Sequence, residues 1–151
     1  MESRGLVKRW LGRAKADRLA SVPNLNAIGI VTSDMAASIR FYRLLGLDVP
    51  ETTDEGHVDA FLPNGVRFML DTEEVVRSFN DDWSRANGNQ IGIALECESP
   101  AEVDEVYARV TGAGFEGEKE PWDAFWGQRY ALLRDPDGVE VNLYAALEST
   151  G

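Results

Sequence analysis

Few residues in this chain could carry nucleophilic or metal chemistry. The 151 residues include one histidine, His57, and one cysteine, Cys97. A nucleophilic cysteine works beside a base, usually histidine. Cys97 instead closes an apolar run over residues 91–97, so we expect a small buried residue. His57, close to Asp59, is expected at a strand edge rather than as a catalytic base. A single cysteine forms no internal disulfide, which predicts a reducing, cytoplasmic environment.

Aromatic side chains gather ahead of one predicted strand. Trp122, Phe125 and Trp126 lie in a stretch predicted to be a loop, and Arg129 opens the strand that follows. Aromatic faces bind planar or cationic guests, and each cation–π contact contributes ~0.5–2 kcal/mol when partly desolvated. These four residues are therefore candidates for ligand binding. Two alternatives stay open: Trp126 could fill one end of the core, and Arg129 could pair structurally with Asp135 or Asp137.

The charge of the chain is uneven and argues against two classes of partner. Residues 1–20 hold six basic and two acidic residues, whereas the remainder holds nine basic and 24 acidic ones. An acidic surface repels nucleic acid and anionic lipid, and no apolar run approaches the ~20 residues of a membrane span. We therefore expect no nucleic-acid or membrane partner, and an attraction for cationic ligands.

The elements that would position these residues follow a repeat. Each unit opens with an apolar strand, continues into a capped helix, and ends in two strands joined by a Gly-containing turn. In the first unit the strand covers 26–31, the helix runs from Ser33 or Asp34 to Gly46, and the later strands cover 57–62 and 66–71. In the second unit these elements cover 90–95, 99–112, 129–134 and 139–144.

The repeat predicts an α+β fold of two β-α-β-β-β modules, which form a curved, cleft-lining mixed sheet with helices outside. The expected divisions are a basic amphipathic helix in 1–22, the first module in 23–72, a linker helix in 73–88 and the second module in 89–147. Residues 22–147 together would form one domain, because each unit alone is too small to bury its sheet well.

Two motifs resemble the glyoxalase / bleomycin resistance / extradiol dioxygenase superfamily. Residues 34–46, Asp-Met-Ala-Ala-Ser-Ile-Arg-Phe-Tyr-Arg-Leu-Leu-Gly, are similar to its D-x(3)-S-x(2)-F-Y signature. Trp-Gly-Gln-Arg-Tyr at 126–130, followed by Asp-Pro-Asp-Gly at 135–138, also resembles members of the superfamily. The resemblance covers about residues 24–146 and implies the paired-module fold, a cleft and a homodimer.

Metalloenzymes of the superfamily hold their ion at four sheet positions that face the cleft. Matched through the motifs, these positions carry Ala27, Met69, Gly92 and Asn142 in this chain. None offers the charged or imidazole donor that a divalent ion prefers. The resemblance therefore implies a metal-free branch with no cofactor. A site built from carboxylates alone, Glu96 and Glu140, is the alternative.

Strand alternation assigns side chains to the cleft. Arg67 and Met69 of the first module, with Glu96, Glu140 and Asn142 of the second, are expected to face it and to bind ligand. Glu140 could equally be a solvated surface residue. Small residues would form the floor and leave room for a bulky guest: Ala27, Gly29, Gly92 and Ala94.

Three functions are compatible with these patterns. The first is a metal-independent protein that sequesters a bulky cationic or aromatic natural product such as an antibiotic. The second is a metal-free lyase or isomerase that uses Glu96 or Glu140 as general base. The third is a regulatory module that docks a partner through its basic N-terminal helix.

Overall fold

The computed structural model describes residues 24–51, 56–86 and 91–148. The predicted N-terminal helix lies outside these residues and stays a prediction. Among the residues described, no helix is long and apolar enough to cross a membrane.

The first module contributes one helix and three strands: β1 (Ala27–Thr32), α1 (Met35–Leu44), β2 (His57–Phe61) and β3 (Arg67–Thr72). The strand order is β1-β3-β2, with β1 parallel and β2 antiparallel to β3. Asp34 caps α1 by accepting from the Ala37 N–H at 3.0 Å. Gly65 turns the β2–β3 hairpin at φ +90°, a region that glycine adopts readily. Among the described residues, the first module has no strand between α1 and β2, whereas the second module has one strand more.

A short helix, α2 (Glu73–Phe79), links the modules and is capped by Thr72. The predicted linker helix covered 73–88, but α2 ends at Phe79. Its C-terminal neighbour Asn80 takes a non-helical conformation.

The second module comprises β4 (Gly92–Glu96), α3 (Pro100–Gly112), β5 (Gly117–Ala124), β6 (Gln128–Arg134) and β7 (Glu140–Ala146). Its strand order is β4-β7-β6-β5. As predicted, Ser99 caps α3 and Pro100 follows in the first turn. These two mixed sheets and their helices confirm the predicted α+β class.

Strand β5 corrects the prediction of a loop before β6. It pairs antiparallel with β6 and contains Trp122, so that side chain is held by a sheet. Acidic residues and Pro121 obscure the strand pattern in the sequence. They are tolerated here because β5 is an edge strand, where charges, proline and register shifts are common.

A continuous core joins the modules on the helix side of both sheets. Phe41 of α1 packs edge-to-face on Phe115 after α3, with ring centroids 5.3 Å apart. The buried cluster combines residues of both modules. Its largest fully buried members include Phe41, Tyr42, Leu70, Val103, Val110, Leu133, Val141 and Leu143. Alternate side chains of each strand point away from this core, and we call that surface of each sheet its cleft face.

Candidate functional site

Three aromatic rings form a row across the cleft face of the second sheet. Trp122 pairs in register with Tyr130, and Tyr130 with Tyr144, so three neighbouring strands each supply one ring. The Trp122 and Tyr130 centroids are 5.6 Å apart, and those of Tyr130 and Tyr144 are 6.2 Å apart. Because paired strands of one sheet hold all three, their positions are fixed with respect to one another.

Trp126 extends this row from the β5–β6 turn. Its ring lies 5.4 Å from Tyr130 and 6.1 Å from Trp122, both edge-to-face. It is 48% exposed, which does not fit the alternative that it fills the core. Phe125 is 97% exposed and contacts Trp126. We call Trp122, Trp126, Tyr130 and Tyr144 the aromatic wall.

A lysine side chain of the protein makes a cation–π contact with the aromatic wall. The Lys119 ammonium lies 3.9 Å from the centroid of the Trp122 ring. This distance is within the ~6 Å range of a cation–π contact. The geometry shows that the Trp122 face can accept a positive charge.

Asn142 sits beside the wall with one polar atom unsatisfied. Its Nδ2 donates to the Tyr130 hydroxyl at 2.9 Å, which leaves the hydroxyl proton to donate elsewhere. Asn142 Oδ1 is buried and has no hydrogen-bond partner among the residues described. Buried polar atoms normally have partners, so this amide can receive a polar group of a ligand.

The cleft face of the first sheet is charged rather than aromatic. His57 Nδ1 lies 2.5 Å from Asp71 Oδ1, and His57 Nε2 lies 3.7 Å from Asp59 Oδ2. Arg67 Nε lies 3.6 Å from the same Asp59 oxygen and makes no hydrogen bond within the described chain. The Nη2 atom of Arg67 is 2.8 Å from Met69 Sδ. The structure therefore brings the two predicted site residues Arg67 and Met69 into contact.

The two candidate carboxylates differ in setting. Glu96 is exposed at the end of β4. Glu140 is half-buried, and its Oε2 lies 3.1 Å from the point that a Cβ on Gly92 would occupy. The missing side chain at Gly92 thus gives room to the carboxylate of Glu140.

Arg129 does not join the other predicted site residues. It pairs in register with the buried Ala145, which places it on the helix side of the sheet. Its guanidinium binds Asp104 of α3 at 2.7 Å and Asp123 at 2.9 Å. The hydrogen bonds to these two aspartates raise the pKa of Arg129. A structural pairing was one of the interpretations of this residue, but the partners are Asp104 and Asp123 rather than Asp135 or Asp137.

The family-like motifs meet at the junction of the modules. The Tyr42 hydroxyl donates to Asp135 Oδ2 at 2.8 Å, and burial raises the pKa of Tyr42 far above its usual range. Asp137 Oδ1 accepts from the Ser33 N–H at 2.8 Å and from its hydroxyl at 2.7 Å. One turn of the second module thus binds both the residue before the N-cap of α1 and the last turn of this helix.

Cavities open where the free edges of β1 and β4 approach each other, a gap that we call the seam. Seam cavity 1, of about 610 Å³, lies beside the turn at 137–139. Seam cavity 2, of about 430 Å³, lies beside the turn at 62–66. Ile28 and Ile93 line both cavities, and no residue of the aromatic wall lines either of them.

Comparison with known proteins places this arrangement in a family. The sequence model of the glyoxalase/bleomycin resistance protein/dioxygenase superfamily matches residues 24–143. The chain belongs to this superfamily. No curated protein matches the chain significantly in sequence.

Solved structures agree on the fold. A glyoxalase/bleomycin resistance protein/dioxygenase from Nocardioides is 27% identical, covers 94% of this chain and 95% of its own, and has a TM-score of 0.69. A family enzyme from Burkholderia phytofirmans PsJN is 18% identical with a TM-score of 0.73, covering 83% of this chain and 100% of its own. A lactoylglutathione lyase from Agrobacterium tumefaciens is 20% identical with a TM-score of 0.60, covering 83% and 95%. The latter two likenesses show the fold alone.

The donor set at the superfamily's metal positions does not fit a divalent ion. Ala27 and Gly92 have no donor atom, the Met69 sulfur is a soft and weak ligand, and Asn142 offers one amide. Arg67 places a positive charge against Met69, which would repel a cation. Across residues 24–51, 56–86 and 91–148, no cluster of three or more His, Cys, Asp or Glu is arranged to hold a metal ion.

Sequence reasoning missed two residues of the aromatic wall. Tyr130 and Tyr144 were not among the candidate ligand-binding residues, although alternation puts Tyr144 on the same face as Asn142. The pairing of Tyr130 with both Tyr144 and Trp122 depends on strand order, which alternation does not give.

Proposed function

We propose that this superfamily member binds a bulky cationic or aromatic natural product, such as an antibiotic, without a metal ion. The observation that carries the proposal is the aromatic wall with the unsatisfied Asn142 amide beside it. It supplies stacking surface and a hydrogen-bond acceptor on one rigid sheet, which is the composition of many ligand sites.

Charge supports a cationic guest. Lys119 lies over Trp122, so a ring of the wall tolerates an ammonium group, and a ligand cation that displaces Lys119 could make the same contact. Glu140 and Glu96 add negative charge on the cleft face of the same sheet. The net charge of −11 would also attract a cation at long range.

The donor set at the matched metal positions supports the proposal of metal independence. A divalent ion needs several anionic or imidazole ligands, and the four matched positions provide one amide and one thioether. Ligand binding through rings and hydrogen bonds requires no such ion.

The proposal includes a homodimer. The aromatic wall is open on the side of Phe125, which is 97% exposed. A large guest held against one wall alone stays half solvated, so a second copy of the chain would close the site. Two open walls facing each other would desolvate the rings and strengthen each cation–π contact.

Binding can be tested by calorimetric titration of the full chain with bleomycin and, separately, with ethidium as a small aromatic cation. Trp122→Ala should weaken binding about 2- to 30-fold, because one cation–π contact contributes ~0.5–2 kcal/mol. Phe79→Ala removes an exposed aromatic residue outside the wall and should leave affinity unchanged. Equal affinity for Trp122→Ala and the unaltered chain would refute a site at the wall.

One observation favours the alternative of a metal-free lyase or isomerase. The half-buried Glu140 carboxylate lies beside Gly92 on the cleft face. A substrate bound there could give up a proton to this carboxylate. Recovery of the ligand after incubation decides between the functions. Chemical change that disappears in Glu140→Gln would indicate an enzyme, and unchanged ligand would indicate a binding protein.

A further inference from the structure

Seam cavity 2 is an apolar groove with an open mouth. Ile28 is 41% exposed there, and the half-buried Leu62, Ile93 and Leu95 line its walls. Glu96 is the one charged residue among those lining it. Burying such a surface is favourable at roughly 25 cal/mol per Å², so the groove is suited to an apolar occupant.

The internal repeat relates the two seam cavities to each other. Ile28 and Ile93 are each the second residue of their strand and line both cavities. Val139 follows the turn glycine Gly138 and lines cavity 1, and Val66 follows Gly65 and lines cavity 2. The cavities are therefore corresponding features of the two modules.

In cavity 1 the segment that leads into β4 forms part of the wall. Trp83, Ser84, Arg85 and Ala86 all line that cavity. Arg85 reaches across the seam, with Nη2 2.7 Å from Glu73 Oε1, 3.4 Å from Asp137 Oδ1 and 3.4 Å from the Val31 carbonyl. The segment that leads into β4 of the second module thus covers part of the seam at cavity 1.

The corresponding segment for cavity 2 is the one that leads into β1, residues 1–23. It lies outside the described residues, and the described chain begins at Asn24. The Asn26 carbonyl accepts from the N–H of Arg67, whose neighbour Val66 lines cavity 2. The described chain therefore begins beside this groove.

The chemistry of the segment complements the groove. It carries apolar residues at the spacing of one helix face, among them Leu6, Trp10 and Leu11, and six of the chain's 15 basic residues. The groove offers apolar walls, and Glu96 lines it while Asp48 and Glu98 stand exposed nearby in sequence. Oppositely charged groups around an apolar contact favour one docking position.

We propose that residues 1–23 dock intramolecularly into seam cavity 2. Each seam cavity would then be covered by the segment that precedes the first strand of one module. No residue of the aromatic wall lines seam cavity 2, so the docking can be tested without any ligand. The two surfaces adjoin at Glu96, which lines the cavity and pairs in register with Tyr144.

Limited trypsin digestion of the full chain tests the docking. The segment contains six Lys or Arg cleavage points, at positions 4, 8, 9, 13, 15 and 18. Docked, these sites should be cut slowly, because cleavage follows the open population. Leu62→Gln, which puts an uncharged polar group in the apolar cavity 2, should accelerate cleavage about tenfold, whereas Ile91→Gln in cavity 1 should not. About 1 M NaCl, where the Debye length is ~3 Å, should also accelerate it.

A cross-linking measurement covers the case in which Leu62→Gln fails to fold. Val22→Cys combined with Pro63→Cys, at the rim of cavity 2, should form an intramolecular link with a short bismaleimide. Val22→Cys combined with Ile91→Cys, at cavity 1, should not. Links that form between two chains, or protection from trypsin that depends on protein concentration, would overturn the proposal in favour of a segment exchanged between copies. Fast cleavage of the unaltered chain would refute docking altogether.

Discussion

The Tyr42 hydroxyl of the first module donates a 2.8 Å hydrogen bond to the Asp135 carboxylate of the second. Tyr42 belongs to the Phe-Tyr motif and Asp135 to the Asp-Pro-Asp-Gly motif, so the sequence features that resemble the superfamily meet at this contact. Both residues are buried. These motifs therefore hold the modules together and imply the fold, whereas the ligand is determined by other residues.

Tyr42→Phe should destabilise the protein by about 1.5–3 kcal/mol at pH 7, the usual contribution of a hydrogen bond to a charged group. Burial raises the pKa of Asp135, so the ionised form costs stability as pH rises above 3.8, its unfolded value. Loss of the Tyr42 bond raises that pKa further. Urea unfolding should therefore show a larger loss at pH 7 than near pH 3.5. An equal loss at both would contradict a charged acceptor.

Asp135→Asn is the matched control for Tyr42→Phe. Its oxygen can still accept from the Asp137 and Val139 N–H groups, and its NH₂ can donate to Tyr42. The variant should fold, and its stability relative to the unaltered chain should improve as pH rises through the raised pKa of Asp135.

Asp137→Asn should show the opposite pH dependence. Burial alone would raise the pKa of Asp137, but the bonds from Ser33 and Thr32 and the charge of Arg85 together lower it. Its stabilising contribution is therefore present above pH 3.8 and is lost as pH falls through the lowered pKa. The variant should lose about 1 kcal/mol at pH 7, and this loss should shrink as pH falls below 3.8. A loss that persists in acid would mean that packing, rather than charge, carries the contact.

Cys97 should be unreactive in the folded protein. Burial raises the pKa of its thiol to about 11, so little thiolate exists at pH 8, and the side chain is 7% exposed. Iodoacetamide at pH 8 should label the unfolded chain within minutes and leave the native chain unlabelled over the same time. Rapid labelling of native protein would refute the expectation of a buried structural cysteine.

Gly92→Ala should weaken the binding of a cationic ligand while changing the free energy of unfolding only slightly. The new Cβ would stand 3.1 Å from Glu140 Oε2, the end of a side chain that can move, so the cost in stability should be below about 1 kcal/mol. Displacing the carboxylate should weaken binding of a cationic ligand such as ethidium. Gly29→Ala is the control, because its Cβ would meet Met69 Cε at 3.4 Å and leave Glu140 in place. Equal affinity for both variants would exclude Glu140 from the site.

Local patterns predicted the module order and the cleft faces because each depends on neighbours in sequence. The capping residues Asp34 and Ser99 mark helix starts directly, and alternation in β7 separates Val141 from Asn142. Strand β5 was missed because an edge strand tolerates the charges and proline that normally indicate a loop.

The site was predicted less well because it depends on strand order and long-range pairing. Trp122, Tyr130 and Tyr144 become one surface only when β5, β6 and β7 lie side by side. Arg129 was assigned to ligand binding, but Asp104, a tertiary neighbour on α3, holds it on the helix side. The proposal that residues 1–23 dock into seam cavity 2 depends likewise on a correspondence between cavities that only the folded chain displays.

The most direct test of the central claim is a calorimetric titration of the full chain with ethidium before and after exhaustive treatment with EDTA, with metal content measured in parallel. Binding through the aromatic wall predicts the same dissociation constant in both samples, no gain on adding zinc, manganese, nickel or ferrous ion, and a marked loss in Trp122→Ala. Binding that disappears with EDTA and returns with one stoichiometric metal would contradict the account.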